Sequence, residues 1–317
     1  MSAARTLTRT PRLPALYART AAAMIPGAGR LPFLPGGGGP LPDLQLRLEH
    51  VSADRAALDG YRQLCGFPAK DVLPGTYPHV MAFPLQMALM SDPRFPCGPA
   101  GLVHLENVIH QHRPIPAGQP LDLHVRAGAL RAHRRGRTFT LFTQAEAAGE
   151  LLWQGTSTML QRTRRPEQHE GRSEPGRADT PGELELDGEP LRSENWELAG
   201  DLGRRYGALS GDRNPIHLHP LAARALGFPG VIAHGAWTNA RVLAALADEI
   251  PDSYSMLASF RSPIVLPALV RFESARADGE IDVSVRSEDL RRTHLRGRVR
   301  QLDPDLATAT TTGGQAT

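Results

Sequence analysis

Cysteine is nearly absent: Cys65 and Cys97 are the only two in 317 residues. They are too few to staple a chain of this size and sit at no spacing that suits a metal or a redox pair. Lysine is scarcer still, with Lys70 alone among 36 lysines and arginines. The arginines are scattered, and a net charge of only +3 builds no field strong enough to imply nucleic acid. No stretch approaches the roughly 20 apolar residues of a transmembrane helix. These absences favour a cytoplasmic protein without disulfides, nucleic acid or a membrane span. What is present, 41% hydrophobic and 22% charged residues, is the composition of a folded chain with room for about two domains.

Acidic residues are missing from the first 42 positions, which carry Arg5, Arg9, Arg12, Arg19 and Arg30. Residues 1–40 therefore resemble a transit peptide or, the favoured reading, a basic arm ahead of a glycine run at Gly36 to Gly39, set against a membrane surface or against the body of the protein. Pro11, Pro14, Pro26 and Pro32 interrupt its apolar runs, which tells against a secretory signal.

Two halves follow, 41–162 and 194–303, separated by a charged, Pro- and Gly-rich stretch at 163–193 that reads as a linker. Residues 304–317 read as a disordered tail. Each half has an apolar helix candidate followed by strand-like segments. In the first, "PHVMAFPLQMALMSDP" runs from Pro78 and is interrupted by Pro84, which predicts a loosened helix with space beside it. Filling that space at Ala82 is expected to reduce what fits beside the helix. In the second, Gly235 to Ile250 is apolar on most of its circumference and stops at Pro251, as a buried helix would. "HRPIPAGQPLDLHVRA" echoes "FRSPIVLPALVRFESARA", a weak internal duplication that places Arg113 and Arg261 alike.

Chemistry concentrates in "YGALSGDRNPIHLHP", Tyr206 to Pro220. Asn214-Pro215 disfavours a helix and fixes a turn, which can bring Asp212 and His217 round to one point. A carboxylate beside an imidazole is a general acid/base pair. The same "SGD" and "NP" also form ordinary turns in which an Asp only caps backbone amides. His217 and His219 lack a third ligand at useful spacing, so no metal is expected, and His219, ahead of Pro220, reads as a helix cap. In "VIAHGAW", Gly235 opens the buried helix, where free N–H groups and the helix dipole can hold an oxygen that turns negative. An acid/base pair beside such a site describes proton abstraction next to a carbonyl.

"YGALSGDRNPIHLHPLAA", continued by "LGFPGVIAHG", closely resembles the signature of MaoC-like, R-specific enoyl-CoA hydratases and 3-hydroxyacyl-thioester dehydratases. The resemblance implies an α+β double hotdog, two antiparallel sheets each wrapping a long central helix. It implies Asp212 and His217 as the catalytic pair, with the Gly235 amide on the thioester carbonyl. Asn214 would support the loop, and with Ser210, His234 and Arg261 it is a candidate substrate-binding position. Where the family usually has Asp or Asn two places after the histidine, this chain has His219. The first half lacks the motif and resembles the non-catalytic half of double-hotdog members. The implied partner is an acyl-CoA or acyl-carrier-protein thioester, with no cofactor, and a homodimer fits the reading. The arm leaves peripheral membrane association open. Two rivals stand beside this one: a hotdog thioesterase, which would attack the carbonyl, and a non-catalytic acyl-thioester-binding subunit.

Overall fold

The computed structural model describes residues 4–23, 35, 39–98, 101–162, 186 and 188–302. The expected tail, and the expected linker up to 185, lie outside them. The first half contains β1 (Arg5–Leu7), α1 (Leu13–Ala23), β2 (Gln45–Val51), α2 (Arg55–Cys65), α3 (Tyr77–Met90), β3 (Val103–Gln111), β4 (Leu121–His133), β5 (Gly136–Ala147) and β6 (Glu150–Arg162). The second contains β7 (Glu189–Leu198), α4 (Leu202–Ser210), a short 3-10 turn (Pro215–His217), α5 (Pro220–Ala225), α6 (Gly235–Ala245), β8 (Tyr254–Phe260), β9 (Ala268–Ala277), β10 (Glu280–Ser287) and β11 (Thr293–Gln301). Strand β7 thus begins inside the stretch expected to be linker.

The duplication hinted at by the sequence is plain in the strand order. One sheet of eleven strands runs β1-β2-β4-β5-β6-β3-β8-β11-β10-β9-β7. Read from each outer edge towards the middle, β2-β4-β5-β6-β3 and β7-β9-β10-β11-β8 are the same pattern. The two sheets expected from the sequence are joined, because β3 and β8 pair antiparallel from Glu106 opposite Ser259 to Gln111 opposite Tyr254. Two edge strands with unmet N–H and C=O groups satisfy each other there. Asn239 on α6 donates to Asn107 on β3 at 3.0 Å, and Asn107 donates to Ser157 on β6 at 3.1 Å. Losing one member of this buried chain costs about 1–3 kcal/mol.

Side-chain alternation decides which face of the sheet is core. Along β5, Phe139, Leu141, Thr143, Ala145 and Ala147 are buried and their neighbours less so, the period of two of a half-covered strand. Helix α3 packs on β2, β4 and β5. It continues through Pro84 without a break, contrary to the expected interruption. Helix α6 stops at Ala245, and turn-type bonds such as Ile250 N to Leu246 O carry the chain on to Pro251. Cys65 and Cys97 are unpaired and buried, and burial pushes the Cys65 thiol up to about 12, which leaves it a poor nucleophile.

The N-terminal arm is structural over the described part. Strand β1 adds to β2 in parallel, and Leu13, Leu16 and Tyr17 of α1 pack on the main core. Over these residues the arm lies against the body of the protein.

Candidate active site

The connection from α4 to α6, residues 211–234, is drawn into one unit by three hydrogen bonds between its arms. The Ile232 amide donates to the Ile216 carbonyl at 3.1 Å. His217 Nδ1 lies 2.7 Å from the Ile232 carbonyl, and since that oxygen only accepts, Nδ1 carries the proton. By the same logic His234 Nε2, 3.0 Å from the Asp212 carbonyl, is a donor. Gly203 of α4 lets the loop sit close, because a Cβ there would lie 2.1 Å from the His217 carbonyl oxygen.

This folding fixes the chemistry of each side chain. His217, with Nδ1–H spent on Ile232, holds a lone pair on Nε2 and can take a proton. One nitrogen each of His217 and His234 and one Asp212 oxygen lie within 4.8 Å of one another. The Asp212 carboxylate accepts from the Asn214 amide at 3.1 Å and comes within 3.9 Å of His234 Nε2. The His217 and His234 rings stack with centroids 3.6 Å apart, and Tyr206 covers the other neighbour contact of His234 at 4.8 Å. Burial lowers the pKa of His217, and the Asp212 charge and the Ile232 carbonyl offset part of that. Burial, then His217, takes His234 down to about 3. Both are neutral imidazoles near pH 7.

Asp212, His217 and His234 also form the one group of three potential metal ligands drawn together among the described residues. The two rings stack 24° from parallel, and His217 Nδ1 and His234 Nε2 are already donors to backbone carbonyls. The arrangement suits proton transfer better than tetrahedral coordination.

A cavity of about 840 Å³ opens onto these groups. Asp212, His217, His234 and Gly235 line it, together with His79, Phe83, Gln86, Met87 and Met90 of α3 and Leu13, Tyr17 and Thr20 of α1. Gly235 is the first residue of α6, so its N–H is one that the helix ladder leaves without an acceptor. Arg261, expected from the sequence, stands exposed on the rim with Arg135, Arg162 and Arg213. Among the described residues none of these four guanidinium groups is in an ion pair.

Two expected substrate-binding residues are turned inward. The Ser210 hydroxyl donates to the Tyr206 carbonyl at 2.9 Å and accepts from the Asp212 amide at 3.2 Å, and Ser210 does not line the cavity. Asn214 touches the cavity, but its amide donates to the Leu102 carbonyl at 3.2 Å and accepts from the Gly101 N–H at 3.3 Å. It ties the loop to the first half. His219 caps α5, its Nδ1 accepting from the Leu221 amide at 3.2 Å, so the histidine does the local work of the Asp or Asn usual there.

His79, His104 and Tyr17 also line the cavity, and no sequence motif marks them. His79 Nδ1 and Thr143 Oγ1 both accept from Gln86 Nε2, at 3.2 and 3.0 Å. His104 sits edge-tilted on Phe260 at 5.0 Å with its Nε2 buried and unpartnered. Burial lowers His79 to about 4 and His104 to about 3. A polar residue on an otherwise apolar helix, His79 and Gln86 in "PHVMAFPLQMALM", was the available signal.

Four imidazoles buried as neutral groups have a measurable cost in acid. Below the ordinary value of 6.5 the unfolded chain binds protons that the folded one refuses, so stability falls as pH drops from 6.5 towards 3. Each such group steepens the slope by up to about 1.4 kcal/mol per pH unit. Urea unfolding at several pH values between 7 and 5 is expected to show this fall, and His104→Phe is expected to flatten it.

A family model described as the MaoC like domain matches residues 184–293. The 3-hydroxyacyl-thioester dehydratase X of Mycobacterium tuberculosis is 34% identical over 275 residues, covering 87% of this chain and 95% of that protein. A crystal structure of HtdX from Mycobacterium tuberculosis aligns with a TM-score of 0.70 at 32% identity, over 81% of this chain and 100% of that one. A conserved hypothetical protein of the same organism, described as a double hotdog, aligns with a TM-score of 0.50 at 15% identity over 79% of this chain and 93% of its own, a likeness of fold alone.

Proposed function

The chain belongs to the MaoC-like dehydratases, and from that premise we propose that it interconverts R-3-hydroxyacyl thioesters and trans-2-enoyl thioesters at the cavity between its halves. The observation that carries the proposal is the fixed tautomer of His217: Nδ1–H bound to Ile232 leaves Nε2 basic, on a ring with one nitrogen within 4.8 Å of an Asp212 carboxylate oxygen.

In dehydration the thioester carbonyl sits on the Gly235 N–H at the positive end of α6, which stabilises the enolate as it forms. The Asp212 and His217 pair takes the proton from C2. The C3–O bond then breaks, and that proton leaves with the hydroxyl as water. The pair ends in the state in which it began, so no redox or metal partner enters the balance. Hydration is the reverse, with water adding its hydroxyl to C3 and its proton to C2 on the same face.

The first half supplies the acyl pocket. Its connection between α2 and α3, residues 66–76, is much shorter than 211–234 and holds no histidine. We read each half as a hotdog module built on its own helix, α3 or α6, which the repeated strand order supports. The four rim arginines suit an anionic carrier, the phosphates of CoA or an acidic acyl carrier protein.

Ala82 is buried but does not line the cavity, so a larger residue there overpacks the core, and the filling expected at that position moves to Met87. Met87→Phe is expected to lower kcat/KM for long acyl chains relative to short ones by at least about tenfold, the scale of a few misplaced methylenes. A uniform loss over all chain lengths would mean simple destabilisation.

The function itself is tested with a panel of trans-2-enoyl-CoAs. Loss of the conjugated enoyl absorbance without thiol release supports it. Thiol release with the enoyl group intact would instead indicate a thioesterase, and tight binding with neither change a binding subunit.

A further inference from the structure

We propose that Tyr17, from the N-terminal arm, is a positioning residue for Asp212. The proposal rests on the reading of Asp212 as half of the proton-transfer pair.

The phenol oxygen donates to the Gly211 carbonyl at 2.8 Å and accepts from the Arg213 amide at 2.7 Å. Both flanks of Asp212 are therefore held by one atom from a segment nearly two hundred positions away in the chain. Fixing the peptide group on each side fixes the direction of the Asp212 Cα–Cβ bond, on which the placement of its carboxylate depends. The clamp is itself seated. Tyr17 packs on the main core with Leu13 and Leu16 of the same helix. Leu13 Cδ1 would lie 2.6 Å from a Cβ at Gly211, so α1 rests directly on the start of the loop. Burial, and next the Asp212 charge, push the phenol pKa up. The hydroxyl keeps its proton at working pH and remains both donor and acceptor.

The Asp212 side chain is about one third exposed, and the protein hydrogen bond to its carboxylate comes from the Asn214 amide two residues on. That bond lies within the loop and moves with it. Tyr17 is a fixed point outside the loop that holds the peptide groups on both sides of Asp212. Its loss would let the carboxylate shift relative to His217 without opening the core.

Tyr17→Phe removes the oxygen and keeps the ring. In the full-length chain, with a trans-2-enoyl-CoA as substrate, kcat is expected to fall about tenfold to a hundredfold, the scale of an ångström-sized displacement of a reacting group. KM and the melting temperature are expected to stay at wild-type values. Hydrogen exchange over residues 211–214 is expected to quicken, because the Arg213 N–H loses its acceptor. An unchanged kcat, or a kcat that falls only in step with the melting temperature, overturns the positioning role. An inactive wild type would be a failure of the hydratase reading instead. Exchange then still decides whether the clamp exists: unchanged exchange at 211–214 in Tyr17→Phe removes it.

Discussion

Asp212→Asn and His217→Ala are each expected to lower hydration turnover by about a thousandfold or more, the upper part of the range for general acid–base groups, and the double variant is expected to be little worse than either. The geometry separates this effect from unfolding. Asparagine at 212 keeps an oxygen able to accept from the Asn214 amide, so the loop retains its turn. Alanine at 217 leaves the buried Ile232 carbonyl without its donor, at a cost of about 1–3 kcal/mol that a melt would register. A proton taken from C2 must be handed to the departing hydroxyl. Losing either member stops the relay, and losing the second then costs little more. Near-normal rates from either folded single variant would end the assignment.

Gly235 carries the second large effect. A Cβ at this position would stand 3.1 to 3.3 Å from the Phe260 ring, on the wall of the cavity where the proposed mechanism brings the thioester carbonyl to the α6 N–H. Gly235→Val is expected to slow the chemical step by about a hundredfold to a thousandfold, typical of losing one oxyanion donor. The same contact offers a competing explanation, that glycine is needed only to fit against Phe260. A double-mutant cycle separates them. If Phe260→Ala restores the stability of the Val variant but not its single-turnover rate, relative to Phe260→Ala alone, the N–H is the essential group. If both recover together, Gly235 is there for packing.

The loop and the helix it precedes were legible in the sequence because their signals are local. Pro215 and Pro220, the Asn before the first, and Gly235 at a helix start each fix backbone within a few residues. The capping role of His219 followed from the same reasoning and is seen in its bond to Leu221. What stayed hidden depends on partners far apart in the chain. Tyr17 looks like any residue of a short apolar run until the fold brings it to Gly211 and Arg213. Ser210 looks like a ligand-binding hydroxyl until the Tyr206 carbonyl claims it. The single sheet could not be read either, since β3 and β8 are joined by edges, and edges carry no side-chain pattern of their own. Pro84 misled for a different reason: packing of α3 on β2, β4 and β5 holds the helix through a residue that local preference would use to break it.

The central claim is proton transfer at C2 coupled to departure or arrival of water at C3 on one face of the substrate. It is tested most directly by hydrating a trans-2-enoyl-CoA in heavy water with the wild-type chain and determining the configuration of the product at both carbons. The account predicts 3-hydroxyacyl-CoA of R configuration at C3, with one deuteron at C2 on the same face as the new hydroxyl and the thioester intact. An S product, addition from opposite faces, or release of free CoA would contradict it.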